Sequence, residues 1–179
     1  MPLEIERKFL VTSDAWRAHA RDAARFRQGY LPGVQTASVR VRVSGERAWL
    51  NIKSATLGVT RREYEYEIPL ADAQDMLEVL CERPLIEKTR HHVPHGGHLW
   101  EVDVFEGDNA GLVVAELELG SPEEAFERPP WLGEEVSHDP RYYNVSLIRH
   151  PFRAWGDSTP RDPSAGGMTS AGRDPRERR

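Results

Sequence analysis

Hydrophobic and polar residues alternate with a period of two through much of the chain as far as Leu119, and a β-strand sends successive side chains to opposite faces with that same period. LEIERKFLV, Leu3 to Val11, puts Glu4, Glu6 and Lys8 on one face and Leu3, Ile5 and Phe9 mostly on the other. SVRVRV, Ser38 to Val43, sets Val39, Val41 and Val43 against Arg40 and Arg42. After the turn Ser44-Gly45-Glu46, WLNIK, Trp49 to Lys53, returns as a hairpin partner with Leu50 and Ile52 opposite Asn51 and Lys53. A loop around Gly58 leads to Arg61–Ile68, where Arg61, Glu63, Glu65 and Glu67 oppose Arg62, Tyr64, Tyr66 and Ile68. Ile86 to Val93 places Lys88 with Arg90, Leu99 to Phe105 places Glu101 with Asp103, and Leu112 to Leu119 places Glu116 with Glu118. Phe26 to Leu31, stopped by Pro32-Gly33, completes a set of about eight strands; Gly29 within it predicts a bulge or the close approach of another segment, beside Tyr30.

Helical spacing is sparse. Thr12, Ser13 or Asp14 can cap a short helix to about Asp22 with Trp16 and Ala20 on one stripe, and Ala71 to Leu80 places Ala73, Met76, Leu77 and Leu80 together. Ser121-Pro122-Glu123-Glu124 reads as the start of a further short helix, broken by Pro129-Pro130. Asp139 can cap a last helix from Pro140 to near Arg149 that carries Arg141, Tyr142, Tyr143 and Asn144. One domain over residues 1–155 is expected, followed over 156–179 by a Gly/Pro/Ser/Arg-rich tail with too little apolar surface to offset the entropy of ordering. The basic run Arg173 to Arg179 reads as a solvated terminus.

Composition narrows the function. Charged residues make up 30% of the chain with a formal net charge of -5, which argues against a nucleic-acid or membrane-surface binder. No signal peptide is recognisable and no apolar run approaches the roughly 20 residues that span a bilayer, so the protein is expected to be soluble and cytoplasmic. Cys81 is the only cysteine and is expected as a small buried residue on the helix; it permits no internal disulfide and no cysteine-based zinc site. His91, His92, His95 and His98 cluster around Pro94-His95-Gly96-Gly97, where a tight turn accounts for the segment and exposed loop histidines are expected.

The charged strand faces carry the functional argument. The aliphatic faces could fill a sandwich with the charges outside, but the short helices need an apolar surface to cover. The charges are also sorted by sign from strand to strand, where a solvated surface would intersperse them. A closed antiparallel barrel of about eight strands, mainly β in an α+β chain, would put the charges in a tunnel and the short helices outside. Burying so many ions costs several kcal/mol each unless they are matched. A phosphate chain with bound divalent metal matches both signs: arginine and lysine take phosphate oxygens, and carboxylates hold magnesium or manganese.

The ordered set E-x-E-x-K at Glu4, Glu6 and Lys8, VRVR at Arg40 and Arg42, NIK at Lys53, R-x-E-x-E from Arg61, EKTR at Lys88 and Arg90, WEVDVF and AELEL resembles the CYTH superfamily of triphosphate tunnel metalloenzymes, from Leu3 to about Trp155. GDNAGLVVAELEL and DPRYYN are similar to its small bacterial members. The resemblance implies metal-dependent hydrolysis of inorganic tripolyphosphate to pyrophosphate and phosphate, with Mg2+ or Mn2+. Lys8, Arg40, Arg42, Lys53, Arg61 and Arg90 would bind substrate. Glu4, Glu6, Glu116 and Glu118 would hold metal, with Glu63, Glu65, Glu101 and Asp103 as additional ligands. The resemblance gives Lys88 the role of assisting the attacking water, against simple phosphate binding, and Tyr30 a catalytic role, against a structural aromatic. Tyr30 would need a nearby cation to act as a base, because a free phenol keeps its proton at neutral pH. Arg141 either plugs a tunnel mouth or points to solvent. Adenylate cyclase, thiamine triphosphatase and a non-enzymatic polyphosphate- or nucleotide-binding module stay open as alternatives. The expected partner is a small-molecule triphosphate, with neither nucleic acid nor membrane, acting on a monomer or homodimer.

Overall fold

The computed structural model describes residues 3–33, 35–55 and 59–156. Gly58 of the expected loop and, beyond Gly156, the expected tail of residues 156–179 lie outside the described residues. The strands are β1 (Leu3–Val11), β2 (Asp22–Leu31), β3 (Ala37–Ser44), β4 (Arg47–Ser54), β5 (Thr60–Ile68), β6 (Ile86–His95), β7 (His98–Phe105), β8 (Val113–Glu118) and β9 (Leu132–Glu135). All pair antiparallel, in the order β5-β4-β3-β2-β6-β7-β8-β1, and β1 also pairs with β5 through Glu4 opposite Arg61. That second pairing closes an eight-stranded barrel. The ninth strand adds to β1 near Phe9 and Val11 outside the ring.

Closure decides which face is inside. The aliphatic positions form the outer face, covered by two apolar clusters, and a third apolar cluster lies on the inner face at one end of the ring. Around β1, β7 and β8, Ile5, Phe9, Trp100, Val102, Ala115 and Leu117 pack with Trp16 and Trp131. Across β3 and β4, Val41 and Ala48 meet Ala73 and Leu77 of α1 (Leu70–Val79). The third cluster closes one end of the barrel: Tyr30, Ile86, Phe105 and Val114 pack against Leu147 and Ile148 of α2 (Asn144–Arg149). Asn109 holds this closing segment, accepting from the Phe152 backbone at 2.8 Å.

Several local expectations are corrected. The first helix is a 3-10 turn over Asp14–His19, and β2 starts at Asp22, because Asp22 to Gln28 lie opposite His92 to Ile86 of β6. No helix follows Ser121-Pro122, and β9 forms in the Gly- and Glu-containing stretch beyond Pro129-Pro130. The last helix is split into a 3-10 turn at Pro140–Tyr142, capped by Asp139 as expected, and α2. Cys81 lies past α1, half-buried. Gly29 is explained there: a Cβ would come within 2.6 Å of the Cys81 Cβ and 2.8 Å of Leu85, so only glycine admits this close approach behind Tyr30. The histidines are half-buried strand residues rather than loop residues. His91 lies against the Trp16 ring at 4.9 Å and His98 Nε2 is 2.9 Å from Glu124. The turn between β6 and β7 is Gly96-Gly97, both at positive φ (+57° and +80°), as a tight hairpin requires.

Candidate active site

The barrel places charged side chains of neighbouring strands side by side on its inner face. Glu6 stands opposite Glu118, Lys8 opposite Glu116, Arg90 opposite Asp103, Arg40 opposite both Tyr30 and Asn51, and Lys53 opposite Glu63. All of these except Asp103 and Asn51, together with Phe26 and Ser38, line a cavity of about 520 Å³. It is lined by the cations Lys8, Arg40, Arg42, Lys53, Arg61, Lys88 and Arg90 and by Glu4, Glu6, Glu63, Glu65, Glu101, Glu116 and Glu118. Of the residues expected at the site, only Asp103 is set back from the lining, at 0% exposure in the wall.

On β6, β7, β8 and β1 the charges form a continuous buried network. Arg90 donates to Asp103 at 2.7 Å through both Nε and Nη2 and also reaches Glu101 and Glu116. Lys88 donates to Asp103, and Lys8 Nζ lies 2.6 Å from Glu116. Burial works against every one of these ions, and the neighbours decide the outcome. Glu116 is held well below the usual carboxylate range by Lys8, Arg90 and Lys88 despite its burial, and Asp103 is lowered by Arg90 and Lys88 in the same way. Burial, reinforced by the Arg90 charge, brings the Lys88 ammonium below the ordinary lysine value although Asp103 opposes this. Asp103 is thus kept ionised between two cations, and Lys88 is the member of the trio that gives up a proton most readily.

Across β3, β4 and β5 the pairing is looser. Arg42 donates to Glu65 at 2.8 Å, with its guanidinium 5.2 Å from the Phe26 ring and 5.0 Å from the Trp49 ring. Lys53 donates to both Glu4 oxygens at 2.6 and 2.8 Å. Arg40, only 8% exposed, has Glu63 at 4.0 Å, and its buried Nε donates to no acceptor among the described residues. The buried Nε atoms of Arg42 and Arg61 likewise find no acceptor among them. Donors left in this state point into a site built for an anion.

The carboxylates fit a hard cation on the opposite ground. Glu6 has only the longer contacts to Arg61 at 3.7 Å and Lys8 at 3.8 Å, and Glu118 has no cation within ion-pair distance among the described residues. Burial and then the nearby Glu116 push the Glu6 carboxyl up; burial followed by Glu4, Glu101, Glu6 and Glu63 does the same to Glu118. Among the described residues no three His, Cys, Asp or Glu side chains converge as a ready-made metal cage. Crowded, undercompensated oxygen donors at Glu6 and Glu118, with Glu4 beside them on the same face, nevertheless have the chemistry that magnesium or manganese takes.

Tyr30, 6% exposed, stands where the apolar closed end meets the charged cavity and contributes to both. Arg141 points outward and pairs with Asp139, its guanidinium Nη2 at 2.6 Å, with its side chain 61% exposed. The end of the cavity is lined instead by Tyr143, Asn144 and Val145, the Tyr143 ring lying 5.6 Å from the Arg61 guanidinium. Sequence reasoning left Phe26 and the Tyr143–Val145 stretch out of the cavity lining, and Asn51 and Gln28 out of the wall behind it. Asn51 and Gln28 are fully buried on the inner face, two residues from Lys53 and Tyr30 respectively. The period of two was the signal that could have found them.

The CYTH domain family matches residues 2–150 of the chain. An inorganic triphosphatase of Acetivibrio thermocellus is 46% identical over 153 residues, covering 86% of this chain and 97% of that protein. Another from Nitrosomonas europaea is 40% identical over 150 residues, covering 80% and 95%. A crystal structure of an inorganic triphosphatase superposes with a TM-score of 0.59 at 35% identity, covering 83% of this chain and 95% of that one. A protein from Pyrococcus furiosus at 18% identity, with a TM-score of 0.54 over 67% of this chain and 80% of that one, shares the fold.

Proposed function

This chain belongs to the CYTH family, and we propose that it is a triphosphatase that hydrolyses inorganic tripolyphosphate to pyrophosphate and phosphate. The observation that carries the reading is the union, in one cavity, of cations with unpartnered donors and carboxylates without enough cations. The curated relatives named inorganic triphosphatase support it. The single cysteine and absence of any internal disulfide suit work in the cytoplasm.

Arg40, Arg42, Lys53 and Arg61 take the phosphate oxygens, while Lys8 and Arg90, already fixed by Glu116 and Asp103, present charge in set positions. Their field stabilises the charge that develops as water attacks a terminal phosphorus in line and the bridging oxygen leaves on pyrophosphate. Lys88 is the group that assists the attacking water, since burial and Arg90 leave it readier than an ordinary lysine to be neutral at Nζ and accept a proton. Tyr30 orients that water from the boundary of the apolar end. A divalent cation, Mg2+ or Mn2+, held by Glu4, Glu6 and Glu118, would neutralise phosphate charge and draw electron density from phosphorus. Glu63, Glu65, Glu101, Asp103 and Glu116 act mainly as counter-charges that set the cations.

The test is phosphate release from tripolyphosphate, pyrophosphate, ATP and thiamine triphosphate in magnesium, manganese or EDTA. Tripolyphosphate is expected to be cleaved fastest, with no turnover in EDTA and none in Glu4→Ala or Lys88→Ala. Absence of turnover on every substrate would sink the enzyme reading, and cyclic AMP from ATP would move it to a cyclase.

A further inference from the structure

Asn51 occupies the middle of the β3–β4–β5 wall, between charged neighbours, and is itself neutral. Its side chain is fully buried, opposite Arg40 on β3 and Glu65 on β5. The Nδ2 group donates to Glu63 Oε1 at 3.0 Å and to Glu65 Oε2. That same Glu63 oxygen is the one 4.0 Å from the Arg40 guanidinium, outside hydrogen-bonding reach. The second Glu63 oxygen faces Lys53 Nζ at 3.4 Å, and Glu65 is also bound by Arg42 at 2.8 Å. Both carboxylates next to Arg40 are therefore occupied elsewhere, with Asn51 as their shared partner.

Arg40 is the consequence. A guanidinium 8% exposed, with an unpartnered Nε and Glu63 as its only carboxylate within ion-pair distance among the described residues, is poorly compensated in the free protein. A shift of about 1 Å by Glu63 would turn the long contact into a charge-assisted hydrogen bond and consume it. The Asn51 donor opposes that shift at the very oxygen concerned. A cation at this position would hold the carboxylates equally well but would bind phosphate itself, and an aspartate would repel both glutamates and pair with Arg40.

We propose that Asn51 is a positioning residue for substrate: it holds Glu63 and Glu65 off Arg40, so that the guanidinium meets the phosphate chain unpaired. This rests on the triphosphatase reading above. The role differs from direct contact with substrate and from simple packing, because it acts through Glu63.

A double-mutant cycle of Asn51→Ala and Glu63→Gln tests it, read as KM and kcat on tripolyphosphate and as calorimetric Kd for tripolyphosphate in EDTA, with thermal melts to verify folding. Asn51→Ala is expected to raise KM and Kd about tenfold with kcat within about threefold, and to change them less than about twofold when Glu63 is already glutamine. An unchanged KM and Kd in Asn51→Ala, or the same rise in both backgrounds, overturns the proposal. Should Asn51→Ala fail to melt cooperatively, Asn51→Val, which fills the position without offering a donor, takes its place in the same cycle under the same criterion. A wild-type chain that binds tripolyphosphate without turnover refutes the function, while the cycle in Kd still decides the role of Asn51.

Discussion

Along β6, β7, β8 and β1 every cation of the cavity wall has a carboxylate at hydrogen-bonding distance, whereas across β3, β4 and β5 Arg40 has none. The cation pairs of the first wall are buried: Lys88 is 2% exposed, Asp103 0% and Glu116 5%. Such a network is assembled when the barrel folds and changes little when a ligand arrives. The second wall keeps donors without acceptors and is completed only by an anion. On the proposed reading, a single ring of strands divides two tasks, fixing geometry on one side and recognising phosphate on the other, and substitutions on the two sides should fail in different ways.

The largest effect is expected from Asp103→Ala on the paired wall. It leaves Lys88 without its only carboxylate within ion-pair distance among the described residues and removes two hydrogen bonds from Arg90. Breaking a buried pair from one side costs about 3–5 kcal/mol, so urea unfolding should show a loss of that size together with loss of turnover. A loss below about 1 kcal/mol would mean that the wall is not a structural unit. The double variant Lys88→Met with Asp103→Leu should regain only part of the stability, because Arg90 still loses its two hydrogen bonds to Asp103, and none of the activity, because packing can replace an ion pair but not its chemistry.

Arg40→Ala probes the other wall and should invert that result. Its guanidinium makes no close ion pair in the free protein, so stability is expected to change by less than about 1 kcal/mol. The loss of a charged phosphate contact should instead lower kcat/KM by about 30-fold to 1000-fold, the kinetic equivalent of about 2–4 kcal/mol. Comparing unfolding and steady-state kinetics for Asp103→Ala and Arg40→Ala breaks the distinction between the walls if both variants lose stability alike.

The division between inner and outer faces was legible in the chain because strand geometry forces it: once Val39, Val41 and Val43 need a covering helix, Arg40 and Arg42 must face inward. Barrel closure followed from the same faces, and the eight strands of the ring fall where alternation put them, apart from their ends. Pairing was not legible. Nothing in the spacing tells that Arg90 gathers Asp103, Glu101 and Glu116 while Arg40 gathers nobody, since that depends on which strands become neighbours across the ring. The early start of β2 was hidden because Asp22 to Arg25 take their order from β6, by tertiary pairing rather than local propensity. Asn51 escaped for a chemical reason: a search for charges passes over a neutral amide, though its neutrality is what the position needs.

The smallest effect is expected at Glu118, which stands opposite Glu6 within the first wall. Burial and four neighbouring carboxylates raise its folded pKa above the ordinary value of 4.5. For a group raised in this way, the stabilising contribution is fully present below the unfolded value and is lost as pH rises through the folded one. Ionised Glu118 therefore weakens the metal-free fold near pH 7 and has no such effect at pH 4. In EDTA, Glu118→Gln is expected to raise Tm by about 1–3 °C at pH 7 and to leave it unchanged at pH 4. Adding magnesium should reverse the order at pH 7: the wild-type chain gains stability by binding the ion, and Glu118→Gln gains less. A variant that melts like wild type in EDTA at pH 7, or gains as much from magnesium, would show that the crowded carboxylates are balanced by the cations of the barrel and do not await a metal.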